Sequence, residues 1–202
     1  MPKRFTILEG QPTTRPEASE TFKEAVRDLE KQEGVGSITK MLILATARGM
    51  KPATEFGMGV PEAKEKFNDL LKRLGLEFEY EDAETPGMLQ YYIAREKERA
   101  QELQELFSAA KSPDGDIRTG LAVGYPKTAV EAFHHARATG DHSVLLDDAE
   151  KWKNFGLVDG EFLFFAPSKQ HWPAERAYLQ KIIRETEALS PELYRKIKYE
   201  TD

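Results

Sequence analysis

The chain contains no cysteine. That absence removes disulfide frameworks, thiolate zinc sites, iron–sulfur ligation and cysteine nucleophiles together. Long uncharged runs are missing as well: the most apolar stretch, Met41 to Ala47, is strand-sized and far short of the ~20 residues that span a bilayer. Met1 to Glu9 carries Lys3 and Arg4, but its apolar part is too short for a signal peptide and no small-residue cleavage site follows. Basic charge is scarce. With 29 Lys+Arg against 35 Asp+Glu the net charge is −6, which argues against a strongly basic nucleic-acid binder and leaves room only for a local basic patch. Internal repeats and low-complexity tracts do not occur.

What is present reads as a globular chain. Its 202 residues, 40% hydrophobic and 32% charged, suffice to remove roughly 70% of the unfolded surface from water, so the fold needs neither disulfide nor metal. Composition predicts a soluble, acidic, cytoplasmic protein without a membrane segment.

Periodicity places the elements. Phe5 to Glu9 reads as a short strand, followed by a Pro- and Thr-rich loop. Phe22, Ala25, Val26 and Leu29 repeat at helical spacing and stop at Gly34 and Gly36. Lys40 to Ala47 is apolar on consecutive positions, the pattern of a central strand covered on both faces. Ala63, Phe67, Leu70, Leu71 and Leu74 give a clean helical stripe between Pro61 and Gly75. Leu76 to Glu81 alternates strictly and Leu89, Tyr91 and Ile93 alternate again, which predicts an antiparallel hairpin. A charged helix over Arg95 to Lys111 follows, with Ala100, Leu103, Leu106, Phe107 and Ala110 on its apolar face.

Ser112 to Asp116 is rich in turn residues and divides the chain into a sheet-bearing part, 1–112, and a mainly helical part, 113–202, packed as one unit. Short helices are expected at Thr119 to Val123, Pro126 to Ala138 and Ser143 to Asn154. Asp159-Gly160 between apolar runs predicts a β-hairpin at 157–166. Two helices, Pro173 to Leu189 and Glu192 to Lys198, finish the chain. The expected fold is α+β, an antiparallel or mixed sheet of about 4–6 strands with helices packed on it, its element order approximating a ferredoxin-like domain, plus a helical C-terminal part.

Four stretches offer chemistry. In Thr46 to Val60, read as a loop, Arg48 and Lys51 with Gly57 and Gly59 form a candidate anion- or ligand-binding segment, although neither a dinucleotide nor a phosphate-loop fingerprint is complete. All four histidines, His134, His135, His142 and His171, fall beyond Phe133. Glu131 with His134 or His135 makes a candidate metal pair, and His135, His142, His171 and Glu131 are candidate catalytic groups, with no full ligand set at known spacing. Residues 117–135 have helix-turn-helix spacing, but Lys127 is the lone lysine among the outward candidates Lys127, Thr128, Glu131 and His135. Ser168, Lys169 and His171 sit where an apolar run meets a helix, without a nucleophile elbow.

No catalytic set is complete. The sequence therefore points first to a non-catalytic ligand- or protein-binding or regulatory module, whose partner would be a protein or a small anionic ligand. The alternative is a small enzyme or metal-dependent protein using the histidine region with the 48–60 anion loop. DNA binding at 117–135 comes third, and the sequence leaves the cofactor unknown.

Overall fold

The computed structural model describes residues 19–59, 64–108 and 115–199, and within them all side chains except those of residues 152 and 157–161. The strand expected at 5–9 and most of the 112–116 boundary lie outside the described residues. In chain order the elements are α1 (Glu20–Lys31), α2 (Ser37–Ala47), β1 (Ala53–Met58), α3 (Lys64–Arg73), β2 (Glu77–Asp82), β3 (Leu89–Ala94), α4 (Lys97–Ser108), α5 (Gly115–Ala122), α6 (Lys127–Thr139), a 3₁₀ turn (His142–Val144), α7 (Asp148–Glu161), α8 (Trp172–Leu189) and α9 (Pro191–Tyr199). The class is α+β. Among the described residues the sheet has three strands, fewer than the expected 4–6.

The order β1-β3-β2, antiparallel at both seams, puts β3 between two strands that run parallel to each other. The crossover through α3 thus spans an inserted strand, a split βαβ. The predicted hairpin is present, with Phe78 opposite Ile93 and Tyr80 opposite Tyr91. The two faces of β3 are both buried, against different partners. Tyr91 and Ile93 face the main core, whereas the intervening Tyr92 and Ala94 face a second cluster beneath α4.

An expected strand and an expected hairpin are corrected. Lys40 to Ala47 is helix α2, in which Lys40 through Thr46 are all buried. A continuous apolar run does not distinguish a buried strand from a buried helix, and this one consists largely of good helix formers preceded by Gly36 at the N-cap. The 157–166 hairpin is absent: the backbone stays helical to Glu161, with a break at Gly156 (φ 74°, ψ 167°). Beyond it the aromatic run finds side-chain partners instead of a strand. Phe162 is fully buried and stacks on Tyr194 at 5.4 Å, while Phe164 and Phe165 pack edge-on at 5.3 Å beside Tyr125.

The larger core joins α1, α2 and α3 to one face of the sheet and to Phe155, Phe162, Leu179, Ile182, Leu193 and Ile197 from the C-terminal helices. Phe56 stacks on Tyr91 at 5.7 Å and Phe67 meets both edge-on, a geometry worth ~0.5–1.5 kcal/mol per pair beyond area burial. On the opposite face of the sheet Ala53, Tyr92 and Ala94 pack with Ala100, Leu103 and Leu106 of α4 and with Ala122 and Val123 at the end of α5.

Candidate functional site

A cavity of about 290 Å³ opens where β1, α4, α5, α6 and the 164–166 segment converge. Strand parity begins it. Along β1, Thr54, Phe56 and Met58 are buried on the main-core side, which turns Glu55 toward α4 and α5. The apolar wall comes from the five rings of Phe107, Tyr125, Phe133, Phe164 and Phe165. Val123, Ala129, Val130 and Ala166 fill the gaps between them. Its polar side chains are Glu55, Asp116 and Thr119, so among the described residues the lining holds two carboxylates and no cation. Gly120 lets α6 approach: a Cβ there would lie 2.9 Å from Val130 Cγ2.

Each polar group has a defined state. Thr119 Oγ1 donates to Gly115 O at 2.9 Å, back along its own helix. Asp116 is paired with Arg137 Nη1 at 2.6 Å. Glu55 accepts from the neutral amide of Gln90, its neighbour on β3. Burial raises the Glu55 carboxyl above its ordinary value, opposed by the Gln90 hydrogen bond and the Lys51 charge. The Tyr125 phenol is likewise pushed up, by burial first and then by the Glu55 charge.

Lys51 lies directly behind this wall. It is 1% exposed, its Nζ 4.7 Å from the Tyr125 ring centroid and 5.0 Å from that of Phe164. The amine donates to the Val123 carbonyl. Desolvation pushes the ammonium down to about 7, and Glu55 partly restores it. Lys51 is one of three donors on the end of α5: Arg99 Nη2 reaches Ala122 O at 3.2 Å and Tyr178 Oη reaches Gly124 O at 2.7 Å. Those carbonyls have no partner within the helix, so the donors both cap α5 and fix the turn into α6.

The expected 46–60 loop is therefore a helix end, a turn and a strand. Arg48 pairs with Glu185 at 2.9 Å and lies over the Phe22 ring. Lys51 is buried at the cavity, Gly57 sits within β1 and Gly59 is exposed. These residues meet different partners, and none of them lines the cavity. The histidines are similarly spread: His134 is half-buried and His135 exposed on α6, His142 is exposed in the 3₁₀ turn, and His171 is exposed at the start of α8. None lines the cavity. His135 and His142 both act on Asp141, whose carboxyl is lowered chiefly by Ser143 hydrogen bonds. Glu131 pairs with Lys127 at 3.5 Å. Among the described residues no group of three or more His, Asp or Glu is placed to hold a metal ion.

The helix-turn-helix spacing does yield a helix pair, α5 and α6, about the 124–126 corner. Its second helix is not a bare basic face, because Lys127 and Arg137 are each paired with a carboxylate. Thr128 donates at 2.6 Å to Glu175, a 1% exposed carboxylate that also accepts from the Ser168 amide and hydroxyl, both at 2.8 Å. Glu175 thus ties α6 and Ser168 to α8, and the His171 backbone N–H donates to Ser168 Oγ at 3.1 Å.

Sequence reasoning missed Glu55 and the aromatic walls. The alternation of Thr54, Phe56 and Met58 carried a signal for Glu55, whereas the rings come from segments as distant as 107, 125, 133 and 165. Among the described residues no helix is long and apolar enough to cross a membrane. No protein-family model, no curated protein and no solved structure matches this chain.

Proposed function

We propose that the protein is a small-molecule binding module whose ligand, largely apolar and not anionic, occupies the cavity between β1 and the α5–α6 pair. The observation that carries this reading is the lining: five aromatic rings and five small or aliphatic residues around two carboxylates, with no basic side chain among the described residues. Binding sites for small molecules are typically concave, mostly apolar and furnished with a few polar groups. A volume of about 290 Å³ suits a ligand of about ten non-hydrogen atoms, at the small end of the usual range. The small anionic ligand expected from the 48–60 segment has no support in this lining, since a carboxylate or phosphate would meet Glu55 and Asp116 without a cation among the described lining residues.

A neutral probe tests the reading. Titration with 2-phenylethanol is expected to raise the unfolding temperature and to shift the methyl resonances of Val123 and Val130. Shifts absent from these methyls, or appearing only elsewhere, would count against the cavity as the binding site.

A further inference from the structure

We infer that the cavity selects an organic ammonium ion, an amine carried on an aromatic or branched apolar body, with Glu55 as its counter-ion and the surrounding rings as its walls. This rests on the small-molecule reading above and names the ligand class. Three observations lead to it.

The first is the imbalance of charge at the Glu55 end. Asp116 is neutralised by Arg137 at 2.6 Å. Glu55 faces the cavity with a neutral amide as its hydrogen-bond donor and, among the described residues, joins no ion pair. A partly buried carboxylate left with a neutral partner is costly unless a cation arrives.

The second is the aromatic content. Rings attract a cation held against their faces, most strongly where water is excluded, and the cavity offers the rings of Phe107, Tyr125, Phe133, Phe164 and Phe165. The protein already uses this attraction at the same place, since Lys51 Nζ lies close to both Tyr125 and Phe164 from behind.

The third is the state of Lys51 itself. It is the internal cation nearest in role to a ligand for Glu55, but it is committed to the Val123 carbonyl and its burial disfavours the charged form. Near neutral pH the internal charge is therefore a weak competitor, and an ammonium inside the cavity would meet Glu55 directly.

Three molecules sharing one body separate the possibilities: 2-phenylethylamine, 2-phenylethanol and phenylacetate, titrated calorimetrically into the full-length protein and into Glu55→Gln. The amine is expected to bind about tenfold or more tightly than the alcohol, equivalent to about 1.4 kcal/mol, with phenylacetate weakest. Glu55→Gln should erase the amine's advantage and leave the alcohol unchanged. If the alcohol binds as well as the amine to the wild-type protein, the ammonium inference fails and the cavity reading stands. If none of the three binds, both fail. The wild-type comparison decides the matter even if Glu55→Gln does not fold, and Asp116→Asn should retain the preference because its charge is already paired.

Discussion

Lys51 shows how the fold can give a residue a buried partner that its sequence neighbourhood does not announce. Its position beside a glycine-containing stretch suggested an anion holder, yet it is a buried donor to the end of α5, with its ammonium pushed down to about 7 by desolvation. That shift has a consequence for stability. In the unfolded chain a lysine keeps its proton to about pH 10.4, whereas folded Lys51 releases it near 7. Between these values the unfolded state binds more protons, so stability rises with pH, by up to about 1.4 kcal/mol per pH unit for one proton. Below about 7 both states are protonated and the full penalty is present. Glu55 is the charged group acting on Lys51, and its own raised carboxyl contributes in the opposite sense, favouring the fold at low pH and losing that contribution as it ionises. Comparison with Lys51→Met isolates the lysine. Urea unfolding at about pH 7, 8 and 9 should show wild-type stability rising relative to the variant; parallel curves would mean that Lys51 remains charged in the fold.

At the scale of elements, legibility followed geometry. The stripes of α1 and α3 and the alternation of β2 were readable because each of these elements buries one face more than the other, which leaves a period in the sequence, and the central strand β3 was legible beside β2 although both of its faces are buried. Helix α2 buries most of its circumference, and the period vanished with the exposed face. The 157–166 segment failed for another reason. Asp159-Gly160 is a turn signal only when strands flank it, and here helix α7 runs through it. At the candidate site the sequence marked Lys51 and the helix-turn-helix spacing of 117–135, which turns at the 124–126 corner, but the rings that make the cavity are adjacent only after folding. That corner can be tested through Gly124. Its φ of +78° disfavours any residue with a Cβ, and a Cβ would stand 2.3 Å from Pro52 Cδ. Gly124→Ala is expected to cost at least ~1 kcal/mol, with more from the clash, and to weaken 2-phenylethanol binding because Tyr125 moves with the turn. Gly140→Ala is the control: its φ is also positive, +74°, but nothing lies within 4 Å. It should cost less in denaturant unfolding and leave binding unchanged, so equal losses in the two variants would remove the Pro52 contact as a cause.

For the whole molecule, the sheet separates two unequal bodies of apolar packing. Among the described residues the larger cluster gathers 27 buried hydrophobics and ties α1, α2 and α3 to α8 and α9, so its loss is equivalent to unfolding. The smaller gathers eight, and α5 enters it only through Ala122 and Val123. Much of what holds α5 and α6 in place is polar instead: the donors Arg99, Lys51 and Tyr178 on consecutive carbonyls, the Arg137–Asp116 pair and the Thr128–Glu175 hydrogen bond. Elements with few buried apolar contacts open at lower free energy than the global transition. The cavity lies at this seam, with Glu55 on the sheet side and Val123, Val130 and Phe133, 41% exposed, on the helical side. A ligand there would bridge the two bodies, and a ligand that binds only the closed form stabilises it by RT ln(1 + L/Kd), which grows with the free ligand concentration L. Native-state hydrogen exchange should therefore show α5 and α6 amides exchanging through partial openings while those of α2, α3 and β3 await global unfolding. Saturating 2-phenylethylamine should slow α5 and α6 in the regime where they open separately. Protection in α5 and α6 equal to that of α2 in the free protein would refute the weak-seam arrangement, and a ligand effect spread evenly over all helices would refute the bridging role of the cavity.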